Sequence, residues 1–263
     1  MPITLDKRPA LIAYLTCGDP DLATTRAVAL AAIDAGAAVI ELGVPFSDPV
    51  ADGPVIQRAS ERALANGVSL GDVIALGRGL RKARPRAGLI VFSYLNPVLR
   101  LGLARFCAAS ADAGLDGALI TDLTLEEADE YLACMRAREL ATVFLAAPTS
   151  TDRRLRRIAK ACSGFVYAVS RTGVTGTRQE LAADARQLVH RLRRYTTLPL
   201  ALGFGVSTPE QFAEVGGFAD AAVVGSAIVQ TIEKAEKAGA AGAVGAFVAS
   251  LVAAKPAAKG SQH

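Results

Sequence analysis

Tryptophan is absent from the 263 residues, and histidine occurs only as His190 and His263. So few imidazoles argue against Ser-His-Asp or Cys-His catalysis and against histidine-based metal clusters. Cysteine is limited to Cys17, Cys107, Cys134 and Cys162, far apart and without a CxxC pair. Neither a disulfide framework nor a zinc site is indicated, and a reducing, cytoplasmic setting is the expected location. Aromatic residues are 5% of the chain and the net charge is only +4, so the basic, aromatic-interleaved surface of a nucleic-acid binder is not expected. Long apolar runs are missing too. The uncharged stretch 238–254 is mostly Ala and Gly and short for a membrane span, so a C-terminal helix packed on the domain is expected. The apolar run after Lys7-Arg8 is brief and ends at Gly18-Asp19-Pro20; it reads as a buried strand rather than a signal peptide.

What is present is a globular balance, 51% hydrophobic and 21% charged, enough to build a sizeable core. Eight short apolar, β-branched runs (10–16, 38–43, 89–94, 117–122, 141–147, 164–170, 198–203 and 221–225) alternate with longer Ala/Leu/Arg stretches of helical period. Nearly continuous apolar strands are buried on both faces, which predicts a parallel sheet covered by helices. The expected fold class is α/β, a single-domain (β/α)8 TIM barrel over residues 1–254, with 255–263 a disordered tail. An open doubly wound sheet is the rival, but Thr16-Cys-Gly-Asp-Pro20 stands where a G-x-G-x-x-G would follow the first strand. Asp19-Pro20 is expected to open one helix. Thr124-Leu-Glu-Glu127 and Ser207-Thr-Pro-Glu210 read as capping boxes opening two others.

In a barrel, reactive groups sit at the C-terminal ends of strands. Glu41 interrupts the apolar run Val39-Ile40-Glu41-Leu42, where a carboxylate is costly. No cation is evident nearby to pair with it. Burial should raise its pKa and suit it to proton transfer near neutrality. Asp52 follows eleven positions later in the Pro-rich loop Glu41-Leu-Gly-Val-Pro-Phe-Ser-Asp-Pro-Val-Ala-Asp52-Gly-Pro. By itself Asp52 reads as a turn residue, as does Asp48; together with Glu41 it can place two carboxyls around one substrate. Three Gly-rich loops follow later strands: Ser170-Arg-Thr-Gly-Val-Thr-Gly176, Gly203-Phe-Gly-Val-Ser207 and Gly225-Ser226, the last opening a helix. Each alone is a simple turn. In this order they read as a phosphate grip, implying a small phosphorylated substrate. The arginine clusters at 78–86, 153–157 and 191–194 fall in helical stretches and read as solvated faces, and the cysteines as small buried residues.

These motifs resemble the tryptophan synthase alpha chain family. The resemblance rests on the long Glu41-to-Gln57 stretch, Tyr94-Leu-Asn-Pro97, Ala147-Pro-Thr-Ser150, Tyr167-Ala-Val-Ser-Arg-Thr-Gly-Val-Thr-Gly176, Gly203-Phe-Gly-Val-Ser207 and Gly225-Ser-Ala-Ile228. It spans nearly the whole chain. It implies a lyase of tryptophan biosynthesis that splits indole-3-glycerol phosphate into indole and glyceraldehyde 3-phosphate by a cofactor-free retro-aldol cleavage. By carry-over, Glu41 is the general acid–base, Asp52 holds the indole N–H, and Tyr167 assists near Glu41. The phosphate rests on Gly176, Gly205, Gly225 and Ser226. Tyr14, Phe92, Tyr94, Leu119 and Phe204 form the indole pocket, and Arg171 and Thr175 belong to the closing loop. The implied partner is the beta chain, in an alpha2beta2 tetramer, docked on loops 45–54 and 96–99. Pyridoxal phosphate belongs to that partner, and neither nucleic acid nor membrane is implied.

Three features depart from the family pattern. The chain starts almost at strand one, where the family has a helix under the barrel; the floor is then open or covered by another segment, such as the C-terminal helix. Thr124 stands where a proline is usual, and Cys17 where a small residue is usual. Other functional readings are a stand-alone lyase releasing free indole and a non-catalytic subunit that activates a beta chain; a triosephosphate-type isomerase is weaker, lacking a strand-end histidine.

Overall fold

Strands that are apolar on both faces need two cores, and the computed structural model supplies both. It describes residues 3, 5, 7–169, 178–203 and 205–254. The strands are β1 (Ala10–Thr16), β2 (Ala37–Gly43), β3 (Gly88–Ser93), β4 (Gly117–Ile120), β5 (Ala141–Val143), β6 (Leu145–Ala146), β7 (Val166–Val169), β8 (Leu200–Gly203) and β9 (Ala221–Val224). All pair in parallel, in the order β5-β4-β3-β2-β1-β9-β8-β7-β6. The two ends of this order are consecutive in the chain, joined through Phe144, so the sheet curls into a barrel.

The expected single strand at 141–147 is therefore two segments. Its first half pairs with β4 and its second with β7. At the break, the Phe144 amide donates to Cys162 Sγ at 3.3 Å and its carbonyl accepts from Tyr167 at 3.1 Å. The runs at 164–170 and 198–203 begin as strand two residues later than their apolar character suggests, and 117–122 ends as strand at Ile120. Apolar character extends past the ladder because loop residues such as Phe165 are buried too.

Helices surround the sheet: α1 (Leu22–Asp34), α2 (Pro54–Ala65), α3 (Leu70–Ala83), α4 (Leu95–Leu101), α5 (Leu103–Asp112), α6 (Asp129–Ala137), α7 (Asp152–Ala161), α8 (Arg178–Arg193), α9 (Pro209–Gly216), α10 (Ser226–Lys234) and α11 (Ala240–Val252). Alternate strand residues such as Leu11, Leu15, Ile40 and Leu42 pack outward against them. The others, Ala10, Ile12, Val39, Ile90, Leu119, Val143, Ala201 and Ala221, fill the barrel interior together with Phe165 from the loop before β7. None of the described helices is long and apolar enough to cross a membrane.

Several local expectations need correction. Asp21, rather than Asp19-Pro20, caps α1, accepting from the Thr24 amide at 2.8 Å. Thr124 and Glu127 close a turn, their side chains 3.3 Å apart, and α6 starts only at Asp129. Thr208, not Ser207, caps α9, with Pro209 in its first turn. A capping box the sequence reading missed opens α3, where Ser69 and Asp72 bond reciprocally; aspartate replaces the usual glutamate at its third position. Helix α11 does not floor the barrel. It packs outside, against α1, α9 and α10. Ile3 and Leu5 pack against the inner core instead. Two arginines of the supposedly solvated clusters turn inward. Arg81 donates to the Gly114 carbonyl at 2.7 Å and to Asp116 at 2.6 Å; Arg191 donates to the Ser150 and Pro148 carbonyls and to Asp152.

Candidate active site

Along three strands the inward residue changes from apolar to polar towards the C-terminal end: Ile12 to Tyr14, Val39 to Glu41, and Phe165 to Tyr167. Tyr14 and Glu41 are register partners on β1 and β2. This polar layer floors an open cleft of about 560 Å³ at the C-terminal mouth of the barrel. Asp52, Gly53 and Ile56 close one side; Gly203, Gly205, Gly225 and Ser226 close the other. A larger hollow of about 780 Å³ lies near α6 and α7 and contains none of these strand-end residues.

Glu41 is fully buried, and neither carboxyl oxygen has a hydrogen-bond partner. Desolvation of the carboxylate lifts its pKa from an ordinary 4.5 to about 8, so it carries a proton at neutrality. Asp52 is half-buried. Desolvation raises it to about 6, against the lowering effect of the Tyr94 hydroxyl, which donates to its Oδ2 at 3.1 Å. The two carboxyls are thus held at different proton affinities around one cleft, the pattern that separates acid from base.

Two tyrosine rings sit beside Glu41, and glycines make room for them. A Cβ on Gly43 would lie 2.5 Å from the Tyr14 hydroxyl, and one on Gly203 2.7 Å from the Tyr167 ring. Burial raises both phenols well above their usual range, and the Glu41 and Asp52 charges push in the same direction. Thr16 donates to the Tyr14 hydroxyl at 3.4 Å. Phe92 meets Tyr14 edge-on with ring centroids 5.1 Å apart.

The remaining expected residues divide. Gly225 and Ser226 begin α10, whose N-terminus carries no side-chain cap and borders the cleft, an arrangement able to receive an anion. Leu119 is fully buried in the apolar interior and does not line the cleft. Tyr94 does not line it either: it stacks on Phe46 at 5.0 Å, accepts from the Ala51 amide at 2.9 Å and tethers Asp52. Gly176, Phe204, Arg171 and Thr175 lie outside the described residues. Thr121, Leu145 and Ile56 line the cleft although the sequence reading did not select them. Thr121 and Leu145 fall at strand ends, the one signal that could have found them. Among the described residues, no three His, Cys, Asp or Glu side chains converge where a metal ion could sit.

Comparison with known proteins agrees with this geometry. The family model described as tryptophan synthase alpha chain matches residues 3–255. A tryptophan synthase alpha chain of Solibacter usitatus is 54% identical over 229 residues, covering 87% of this chain and 85% of the relative. That of Geobacter sulfurreducens is 46% identical, covering 94% and 93%. Among solved structures, Mycobacterium tuberculosis tryptophan synthase superposes with a TM-score of 0.86 at 35% identity over 95% of this chain and 94% of that one. A mutant alpha-subunit from Pyrococcus furiosus does so with 0.86 at 38%, over 94% and 98%.

Proposed function

Because the chain belongs to the tryptophan synthase alpha chain family, which cleaves indole-3-glycerol phosphate to indole and glyceraldehyde 3-phosphate, we propose that Glu41 and Asp52 carry out this retro-aldol step. The observation that carries the assignment is Glu41: a protonated, fully buried carboxyl with no internal partner, facing the cleft.

Protonated Glu41 delivers its proton to indole C3. The positive charge that develops at the ring nitrogen is met by the Asp52 carboxylate, which accepts the N–H. The bond between C3 and the glycerol carbon then breaks, and its electron pair restores the ring double bond. The hydroxyl on that glycerol carbon gives its proton to the Glu41 carboxylate and becomes the aldehyde. Protons and electrons balance without a further reagent, so we assign this chain no cofactor. Tyr167 and Tyr14, beside Glu41, exclude water and orient its carboxyl. The amides of Gly225 and Ser226, with Gly205, take the phosphate, and this anchor holds C3 against Glu41. Phe92, Ile56 and Leu145 supply the apolar wall for the indole.

Partnership with a beta chain is a property of the family; an alpha2beta2 assembly, with pyridoxal phosphate in the beta chain alone, belongs to the same proposal. The docking surface is the loop 45–54 together with residues 96–99, which were expected as a loop but lie in α4. Val50 and Leu99 stand 86% and 56% exposed there, an apolar display that a partner would cover. A cytoplasmic location is part of the same reading.

The test is indole release from indole-3-glycerol phosphate with and without a beta chain. Glu41→Gln or Asp52→Asn is expected to lose on the order of 10²–10⁴ in rate while still binding glycerol 3-phosphate. A variant near the unsubstituted rate removes that residue from the mechanism.

A further inference from the structure

Helix α2 starts two residues after Asp52, so wherever α2 sits, Asp52 follows. Its N-terminus has no side-chain cap and lies at the open rim. What holds α2 down is a set of four charged side chains outside the cleft. Arg62 donates through Nε and Nη2 to the two oxygens of Asp19, at 2.7 and 2.8 Å. Asp19 lies in the loop after β1 and is only 3% exposed. The third arm of the same guanidinium, Nη1, donates to Glu233 Oε1 at 3.0 Å. Arg58, one helical turn earlier, donates to the two Glu233 oxygens at 3.1 and 3.0 Å. Asn66, just past the helix, adds bonds to the carbonyls of Gly18 and Pro20 at 3.1 and 2.7 Å.

Glu233 lies in the last turn of α10, the helix whose first residue is Ser226. Beneath the ion cluster, Ala59 of α2, Val229 of α10 and Tyr14 form one small apolar cluster. The helix that follows Asp52 and the helix that offers amides to the phosphate are therefore bolted to each other and to the β1 loop. We propose that Arg62, with Arg58 and Glu233, is a positioning device: it fixes the separation between Asp52 and the amides of Gly225 and Ser226. That span measures the substrate from indole nitrogen to phosphate. None of these side chains lines the cleft, so they act through α2 and α10 rather than on the substrate. The inference rests on the reaction proposed above, and it adds the origin of substrate-length selectivity.

A ruler has a signature that a general loss of structure lacks. Each half of the substrate meets an intact subsite, but the whole molecule no longer reaches both. Arg62→Ala leaves Asp19 a buried carboxylate without its fork, which could unfold the loop. Glu233→Ala breaks only the link between α2 and α10 and serves as the second variant. For either, kcat/KM for indole-3-glycerol phosphate should fall roughly 10- to 100-fold, the scale of an ångström-sized misplacement. The Kd of glycerol 3-phosphate should stay within about twofold. Arg62→Lys keeps the charge without the bidentate fork and should recover only part of the loss. Amide exchange at 51–57 should speed up in both alanine variants while β1 to β3 keep their protection. An unchanged kcat/KM in Glu233→Ala, or an equal loss for glycerol 3-phosphate and the whole substrate, overturns the proposal. If the unsubstituted chain with a beta chain releases no indole, the reaction assignment falls. The exchange experiment still decides whether the cluster holds the Asp52 loop.

Discussion

Tyr94→Phe removes a single hydroxyl that accepts from the Ala51 amide and donates to Asp52. Phenylalanine keeps the ring that stacks on Phe46 and deletes the hydroxyl that donates to Asp52 at 3.1 Å. A hydrogen bond to an ionised group contributes about 1.5–3 kcal/mol, and about 1.4 kcal/mol is one pKa unit. Complete loss would therefore raise Asp52 by one to two units. Asp52 is half-exposed, so water replaces part of the bond, and an upward shift of about one unit is expected. With the bond in place Asp52 sits at about 6 and Glu41 at about 8. The proposed mechanism needs Asp52 ionised and Glu41 protonated, so kcat/KM should rise with pH through about 6 and fall through about 8. In Tyr94→Phe the acid limb should move up to about 7 while the basic limb stays. The window between them narrows and the maximum drops. The assay is indole release with saturating beta chain across pH 5–9. The substrate phosphate titrates near pH 6 as well, but identically for both proteins, so the difference between their profiles reports Asp52. An acid limb that stays in place or moves down would refute the assignment of Tyr94 as the group that sets Asp52.

Glu41→Gln should be more stable than the unsubstituted chain at pH 7–8. The folded pKa of Glu41, about 8, lies above its ordinary 4.5, so its stability contribution is intact below 4.5 and is lost as pH rises to 8. That loss approaches about 3 kcal/mol by neutrality, and urea midpoints at pH 5 and 8 should show the gap between the proteins opening with pH. Leu99→Asp, charging a 56% exposed leucine on α4, should weaken beta-chain binding by tenfold or more while the rate without a beta chain is unchanged; a titration of rate against beta chain reads both.

In the proposed reaction, a cost to the fold and the proton donor are the same carboxyl. An unpartnered buried carboxyl destabilises the fold as pH rises towards neutrality, and the proposed step uses its proton. Stability given up at a reactive residue is a common trade in enzymes. Here the carboxyl stands above a closely packed apolar interior that includes Ile12, Ile90, Leu119 and Phe165. Gly117 shows how tight: a Cβ there would sit 2.2 Å from the Ala141 carbonyl oxygen.

The barrel and its main carboxylate were legible in the sequence by itself. Eight apolar runs separated by helical stretches specify strands buried on two faces, because period and composition are local properties. Glu41 stood out because a charged residue in such a run is costly to bury and no cation was evident nearby to pair with it. The glycine-rich ends of the later strands pointed to an anion, and three of those glycines, Gly203, Gly205 and Gly225, line the cleft with Ser226. What the sequence could not carry were relations between distant residues. The family resemblance implied that Tyr94 and Leu119 are pocket wall. Tertiary structure makes Tyr94 a tether for Asp52, 42 residues away, and places Leu119 in the closed layer. The break of the fifth strand at Phe144 depends on a neighbouring cysteine and on two different partner strands. Arg81 and Arg191 look like solvated charges on a helical wheel until the carbonyls they reach are placed beside them. Asp19, Arg62 and Glu233 lie up to 214 positions apart along the chain. Their clamp exists only once β1, α2 and α10 meet at one mouth of the barrel, because hydrogen bonds and ion pairs are decided by distance in space, and the sequence orders residues along the chain alone.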